Sequence, residues 1–410
     1  MSLIFFSMRY ILYYIFLYIL LIPILRYYIL PPGNDFFLFI AVVGAIILFF
    51  RSSGSKFKTY HVVSFFFIFW LIVASVIGYN FSDYANTVSS VSKNNFILFV
   101  FSSVGLICLS AANVNYDFFV KAYVMICWLL IFFFIYQLLC TFLLHLEPIL
   151  PFSFLERVEE TERNGVLGYS NYFRFSSMFS EPSHFAQYLS PLPAFYLYGY
   201  KNIIFPDIKK AVYASLPILF CISGTGIAIL AVIWGYYISS NIKKFSAKQL
   251  CFLVLMIIIF LLVFSNSVGL LTMLNEMTDS NENKTLDRVS RGFLLFSELP
   301  FDKQFWGLGY QCIGASSKFY HMQYANVISN GHNEYLSDIS SLLITGGVIG
   351  FLFIVYFMKK VFTHNRGLSK IISLIVLAIM FSESTLGSLM MFYLCMIFST
   401  IISKKYNYES

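Results

Sequence analysis

Apolar runs close to the length of a membrane-crossing helix recur along this 410-residue chain, and they fix its fold class before any single residue is weighed. A helix needs about 20 apolar residues to cross the hydrocarbon core. Such runs fall at approximately 9–29, 36–50, 61–79, 95–111, 118–144, 183–200, 211–223, 225–240, 249–268, 335–358, 368–383 and 386–403. Backbone groups in hydrocarbon must bond internally, and continuous apolar runs without alternation exclude a barrel. The expected fold is therefore all-α: one integral membrane bundle of about twelve helices, 59% of whose residues are hydrophobic.

Short loops rich in Lys and Arg stay on the cytoplasmic side. The loops 51–60, 201–210, 241–248 and 359–370 are of that kind and alternate with loops poor in Lys. With both termini inside, the cytoplasmic loops hold most of the 27 basic residues, and only Asp117, Asp207 and Glu409 of the 20 acids. The two largest loops, 145–182 and 269–334, then lie outside. The net charge of +7 belongs to the cytoplasmic face and gives no reason to invoke nucleic acid. The first run passes twenty residues with no small-residue cleavage site, so it reads as a retained helix. Seven cysteines, all but Cys312 inside apolar runs, give neither a disulfide framework nor metal-ligand spacing.

Polar chemistry concentrates in the two outer loops. In the first, the acids and arginines of 156–163 read as a solvated helical face, with a divalent-ion site as the minor reading. Its end, RFSSMFSEPSHFA (Arg174–Ala186), sets Arg174, Glu181 and His184 beside a helix entry. Pro182 suits the first turn, and Ser180 or Glu181 suits the cap. A capped helix start with Arg174 paired to Glu181 accounts for these residues. An anion held at the helix N-terminus accounts for them too.

The second loop carries Leu286, Val289, Phe293, Phe296 and Leu299 at helical spacing, stopped by Pro300, as expected of an amphipathic helix at the outer surface. Arg288 and Arg291 lie three apart on its flank. Asp287 offers Arg291 an ordinary i,i+4 pair, while two planar guanidinium groups also suit a diphosphate. Gly307 and Gly309 in FWGLGYQ read as a backbone bend. His332 in GHNEYL is a helix-start cap or a general base, with Glu181, Glu334 and Asp338 as rival bases. The apolar runs themselves hold almost no ionisable group, unlike the midplane sites of proton-coupled carriers.

In order, RFSSMFSEPSHFA, SGTGIAIL (Ser223–Leu230), an arginine-bearing loop ending in FWGLGYQ, GHNEYL and GGVIGFLFI (Gly346–Ile354) resemble the O-antigen polymerase and ligase superfamily of bacterial inner-membrane glycosyltransferases. The resemblance covers roughly Arg174 to Ile354. It implies transfer of a glycan from undecaprenyl diphosphate at the periplasmic face, with no metal and no other cofactor. By the same resemblance Arg174, Arg288 and Arg291 would bind diphosphate. His332, with Glu181 as the alternative, would activate the acceptor hydroxyl, and Asn333, Ser183 and His184 would bind or position the acceptor.

The partners so implied are undecaprenyl-diphosphate-linked oligosaccharides, membrane lipids and a polysaccharide chain-length regulator. EPSHFA resembles the polymerases more than the ligases. Ligases also have an interval between the His-Asn pair and Gly347–Gly350 shorter by about one helical turn. A repeat-unit polymerase is thus the expectation; a ligase to lipid A core and a lipid-linked oligosaccharide flippase are the alternatives.

Overall fold

The computed structural model describes residues 2–25, 34–52, 54–57, 59–112, 116–146, 148, 166–169, 172–179, 181–241, 292–322, 336–364 and 367–382. The expected spans 249–268 and 386–403 lie outside them. Numbered in order, the described helices begin with α1 (Ser2–Leu25), α2 (Asn34–Arg51), α3 (Thr59–Asn80), α4 (Ser90–Ala111) and α5 (Asp117–Leu138), the last running on as a π-turn, Leu139–Leu144. A short hairpin follows, β1 (Val166–Tyr169) with β2 (Tyr172–Phe175). Then come α6 (Pro182–Leu189), α7 (Pro191–Tyr198), α8 (Ile208–Phe220), α9 (Gly224–Asn241), α10 (292–298), α11 (Phe301–Trp306), α12 (Ile313–Phe319), α13 (Asp338–His364) and α14 (Gly367–Ser382).

Helices thus dominate, as the all-α expectation has it, with one short hairpin among the described residues. Among the described residues, four helical stretches are long and apolar enough to cross a membrane: His61–Asn80, Ser92–Ala111, Asp117–Leu144 and Asp338–Tyr356. Leu12–Leu25, Val42–Arg51 and Gly367–Ser382 are apolar but shorter. The expected span 183–200 is met by two eight-residue helices. Ser190 between them keeps helical dihedrals, and the division falls where Pro191 and Pro193 each remove an N–H donor.

The helices fall into two compact units, one drawing its described residues from Met1–Cys127 and Arg288–Ser410, the other from Trp128–Phe154 and Glu159–Asp287. In the first unit α2 packs on α1 and α4, α3 on α4 and α13, and α13 on α11 and α14. Close approach needs small residues: a Cβ on Gly105 of α4 would lie 2.9 Å from a methyl of Val42. An apolar core of this unit joins Tyr79, Tyr84 and Phe96 to Leu295, Leu299, Leu308, Tyr310 and Ile344. Residues of the second polar loop therefore help build the core.

The stretch Phe305–Cys312 is the main surprise of the first unit. Expected as an outer bend, it is threaded between α3 and α13. Trp306 stacks on Trp70, ring centroids 5.3 Å apart. Trp70 lies about 15 Å along α3 from its end at Asn80, at 1.5 Å per residue. Non-helical backbone at such depth is tolerated only where its polar groups find partners in the protein.

Those partners come from a break in α13. Gly347 takes φ 64°, ψ −166° inside the helix, which frees carbonyls in the preceding turn. Leu308 N–H donates to Ile344 O at 2.9 Å and Gly309 N–H to Thr345 O at 3.0 Å. The Trp70 indole N–H donates to Gly346 O at 2.8 Å. From the other side Ser75 Oγ accepts from Tyr310 N–H at 3.0 Å. The hydroxyls of Tyr84 and Tyr79 donate to the carbonyls of Leu308 and Tyr310 at 2.8 and 2.7 Å. Gly307 (φ 87°) and Gly347 face each other so closely that a Cβ on either would overlap the opposing backbone.

The amphipathic α10 is present over 292–298, with a different buried stripe from the one expected. Gly292, Leu295 and Leu299 face inward, while Phe293 is 40% exposed. Gly292 sets the rotation, because a Cβ there would overlap the side chain of Ser340 on α13.

In the second unit α6 packs on α8 and α9, and α7 on α8. Gly226 of α9 lets α6 approach until its own Cβ, if present, would be 2.9 Å from that of Ala186.

Candidate functional site

The second unit contains the part of the expected site that the structure describes. Arg174 pairs with Leu167 in the hairpin, which fixes its place in β2; its side chain lies outside the described residues, and with it the expected pairing to Glu181. Arg288, Arg291, His332 and Asn333 also lie outside them. Between β2 and α6 the chain makes a buried turn, Ser176–Phe179. Phe179 N–H donates to Ser176 O at 3.0 Å, and Ser176 Oγ donates to Phe179 O at 2.6 Å.

This turn is fastened to α5 by Gln137, a residue that sequence reasoning missed. Gln137 is fully buried. Its amide oxygen accepts from Ser177 N–H at 2.9 Å, and its amide nitrogen donates to Ser177 O at 2.7 Å. Ser177 Oγ donates to Leu130 O at 2.8 Å. Ser177 sits at φ 54°, a left-handed conformation that a serine holds only when its surroundings determine it. The sole trace in the sequence is one glutamine amid the aromatic and aliphatic residues of 118–144. A polar residue in an apolar run is the signal.

The turn delivers the chain to the start of α6. Pro182 occupies the first turn as expected, and Glu181 is the N-cap residue, with extended backbone and no side-chain cap. Its carboxylate instead accepts a hydrogen bond from Ser183 Oγ at 3.1 Å. Glu181 is exposed, Ser183 is buried at 9% exposure, and His184 is half-buried. Below them, Phe185 stacks on Phe134 of α5 at 5.2 Å and meets Phe179 at 6.1 Å. The Cys221 thiol donates to Pro182 O at 3.6 Å. A carboxylate and a hydroxyl are thus presented at the solvent end of a rigidly seated helix.

Two sequence motifs meet here. EPSHFA forms α6, and SGTGIAIL forms the start of α9, where Gly226 N–H donates to Ser223 Oγ at 3.3 Å. Among the described residues no group of three or more His, Cys, Asp or Glu side chains is placed to hold a metal ion.

In the first unit Asp338, a rival base, opens α13 and is fully buried. Burial first, and the Asp338 charge second, push the Tyr310 phenol up to about 12. Asp338 thereby belongs to the core of the first unit near Tyr310, a buried setting unlike that of a solvent-facing base.

The chain matches no protein-family model, no curated protein and no solved structure.

Proposed function

We propose that this protein is a membrane glycosyltransferase that polymerises undecaprenyl-diphosphate-linked oligosaccharide repeat units at the periplasmic face of the bacterial inner membrane. One observation carries the reading: Glu181 and Ser183 form a hydrogen-bonded, solvent-reaching pair on α6, seated by the Gln137 clamp and by Gly226 of SGTGIAIL. Two segments distant in sequence, each part of the resemblance, thus combine to aim one polar pair outward.

In the proposed reaction an acceptor hydroxyl attacks the anomeric carbon of the donor glycan, and the bond from that carbon to the diphosphate oxygen breaks. The bonding pair leaves with undecaprenyl diphosphate. The hydroxyl proton passes to His332 or Glu181. A single displacement inverts the anomeric centre. Arg174, Arg288 and Arg291 stabilise the charge that develops on the diphosphate, the main electrostatic demand of the step.

A deletion strain tests the reading through its polysaccharide ladder. Loss of this protein is expected to leave single repeat units attached to core. Polymer retained on the carrier lipid would instead identify a ligase, and precursor trapped in the cytoplasmic leaflet would identify a flippase. In the restored strain Arg291→Lys is expected to shorten the ladder severely, because an ammonium group keeps the charge and loses the bidentate fork. A full-length ladder from that variant would remove the diphosphate clamp.

A further inference from the structure

Gln187 of α6 is fully buried, and among the described residues neither its amide nitrogen nor its amide oxygen has a hydrogen-bond partner. Both ends of a buried amide left unsatisfied are costly, and a native fold that keeps such a group holds it for some purpose other than packing. Methionine would fill nearly the same space without that cost. The residues around Gln187 on α6 show what the purpose is.

Ser183 lies one turn before Gln187, so the two share a face of the helix. Ser183 in turn holds Glu181 at 3.1 Å. Carboxylate, hydroxyl and amide therefore form one polar stripe that starts in solvent at Glu181, reaches the edge of burial at Ser183 and ends inside at Gln187. The residues beside it, Phe185, Ala186 and Leu189, are buried and apolar. A polar stripe on an otherwise apolar buried helix supplies the kind of groups that line a ligand subsite.

We infer that Gln187 is the inner recognition residue of a sugar subsite on α6, and that it takes the hydroxyl or acetamido group of the acceptor repeat unit. This rests on the polymerase reading above. The chemistry selects the ligand. The stripe carries no cation, and Glu181 repels anions, so the diphosphate belongs elsewhere. An amide offers donor and acceptor side by side, which matches a sugar hydroxyl or an acetamido group and leaves neither half unpaired. A site built to bond such a group rejects an analogue that lacks it.

The test pairs stability with function in the full-length protein. Gln187→Met is expected to melt at or above the wild-type temperature, since it removes an unsatisfied amide, while polymer yield in the restored deletion strain falls about tenfold or more at equal protein level. Gln187→Asn keeps an amide but withdraws it by one methylene. It too is expected to keep the fold and shorten the ladder. A full ladder from Gln187→Met overturns the inference and leaves the polymerase reading standing. A destabilised Gln187→Met with a full ladder from Gln187→Asn overturns it as well, and assigns the amide to a buried structural water. If the wild-type protein itself fails to restore the ladder, the polymerase reading falls, and this inference with it.

Discussion

Gln137 shows how much a single buried side chain can carry. It satisfies both backbone groups of Ser177, a residue in a conformation that leaves it few other partners. Replacing it by leucine keeps the volume and strands a buried N–H and a buried C=O. The expected loss is about 2–4 kcal/mol, read as a lowered unfolding temperature of the purified protein. A loss near zero would mean that water takes over both bonds.

Cys312 offers a second test at this scale, one of chemistry. Burial pushes its thiol up to about 12, and Lys93 offsets this only in part. At pH 8 the thiolate is then on the order of one part in ten thousand. A variant retaining only Cys312 should resist alkylation at that pH until it is unfolded; rapid labelling of the folded protein would show that the threaded segment opens. Neither residue announces its role in the sequence, since Ser177, which Gln137 holds, and Gly78, which packs against Cys312, lie far along the chain.

At the scale of elements, α3 packs on the broken α13 and also meets the non-helical chain of Gly307–Cys312. Gly78 lies where α3 meets that segment: a Cβ there would overlap the Leu308 carbonyl oxygen and lie 3.2 Å from Cys312 Sγ. In an exposed helix Gly→Ala stabilises by about 1 kcal/mol. Here the sign should reverse, with Gly78→Ala destabilising by about 1–3 kcal/mol through overpacking against backbone that cannot turn aside. A melting curve for the variant decides it, and a stabilised protein would place Phe305–Cys312 away from α3.

The helices themselves were legible because apolar runs report burial in lipid or core directly. The break at Gly347 was not, since a Gly-Gly pair inside an apolar run looks the same whether the helix bends or continues. The hairpin was hidden too, its eight residues lacking the length that makes alternation visible. Of the site, the start of α6 was legible from Pro182 and the caps. Glu181 accepting from Ser183 was not, because no local rule distinguishes that bond from a cap.

For the whole molecule, charge sets the expected orientation. The loop Gly199–Asp207 turns the chain between α7 and α8, where Asp207 Oδ1 accepts from the N–H groups of Lys209 and Lys210 at 3.0 and 3.2 Å and so caps α8. Lys201 lies in it and Lys209 and Lys210 follow it, and a short basic loop is expected on the cytoplasmic side. Phe205 at its tip is 71% exposed, and Phe301, within the second polar loop, is 83% exposed. These two positions should lie on opposite sides of the membrane if the number of spans between them is odd, as the charge pattern requires.

Cysteine labelling with a membrane-impermeant maleimide reads this directly. The five described native cysteines, Cys108, Cys127, Cys140, Cys221 and Cys312, are buried. Serine at Cys251 and Cys395 completes a quiet background. Phe301→Cys should then label in intact cells whose outer barrier is permeabilised, and Phe205→Cys only after the inner membrane is opened. Labelling of both under the first condition would invert the loop assignment, moving Gly199–Asp207 to the outer face and removing the polarity on which a periplasmic glycosyl transfer depends.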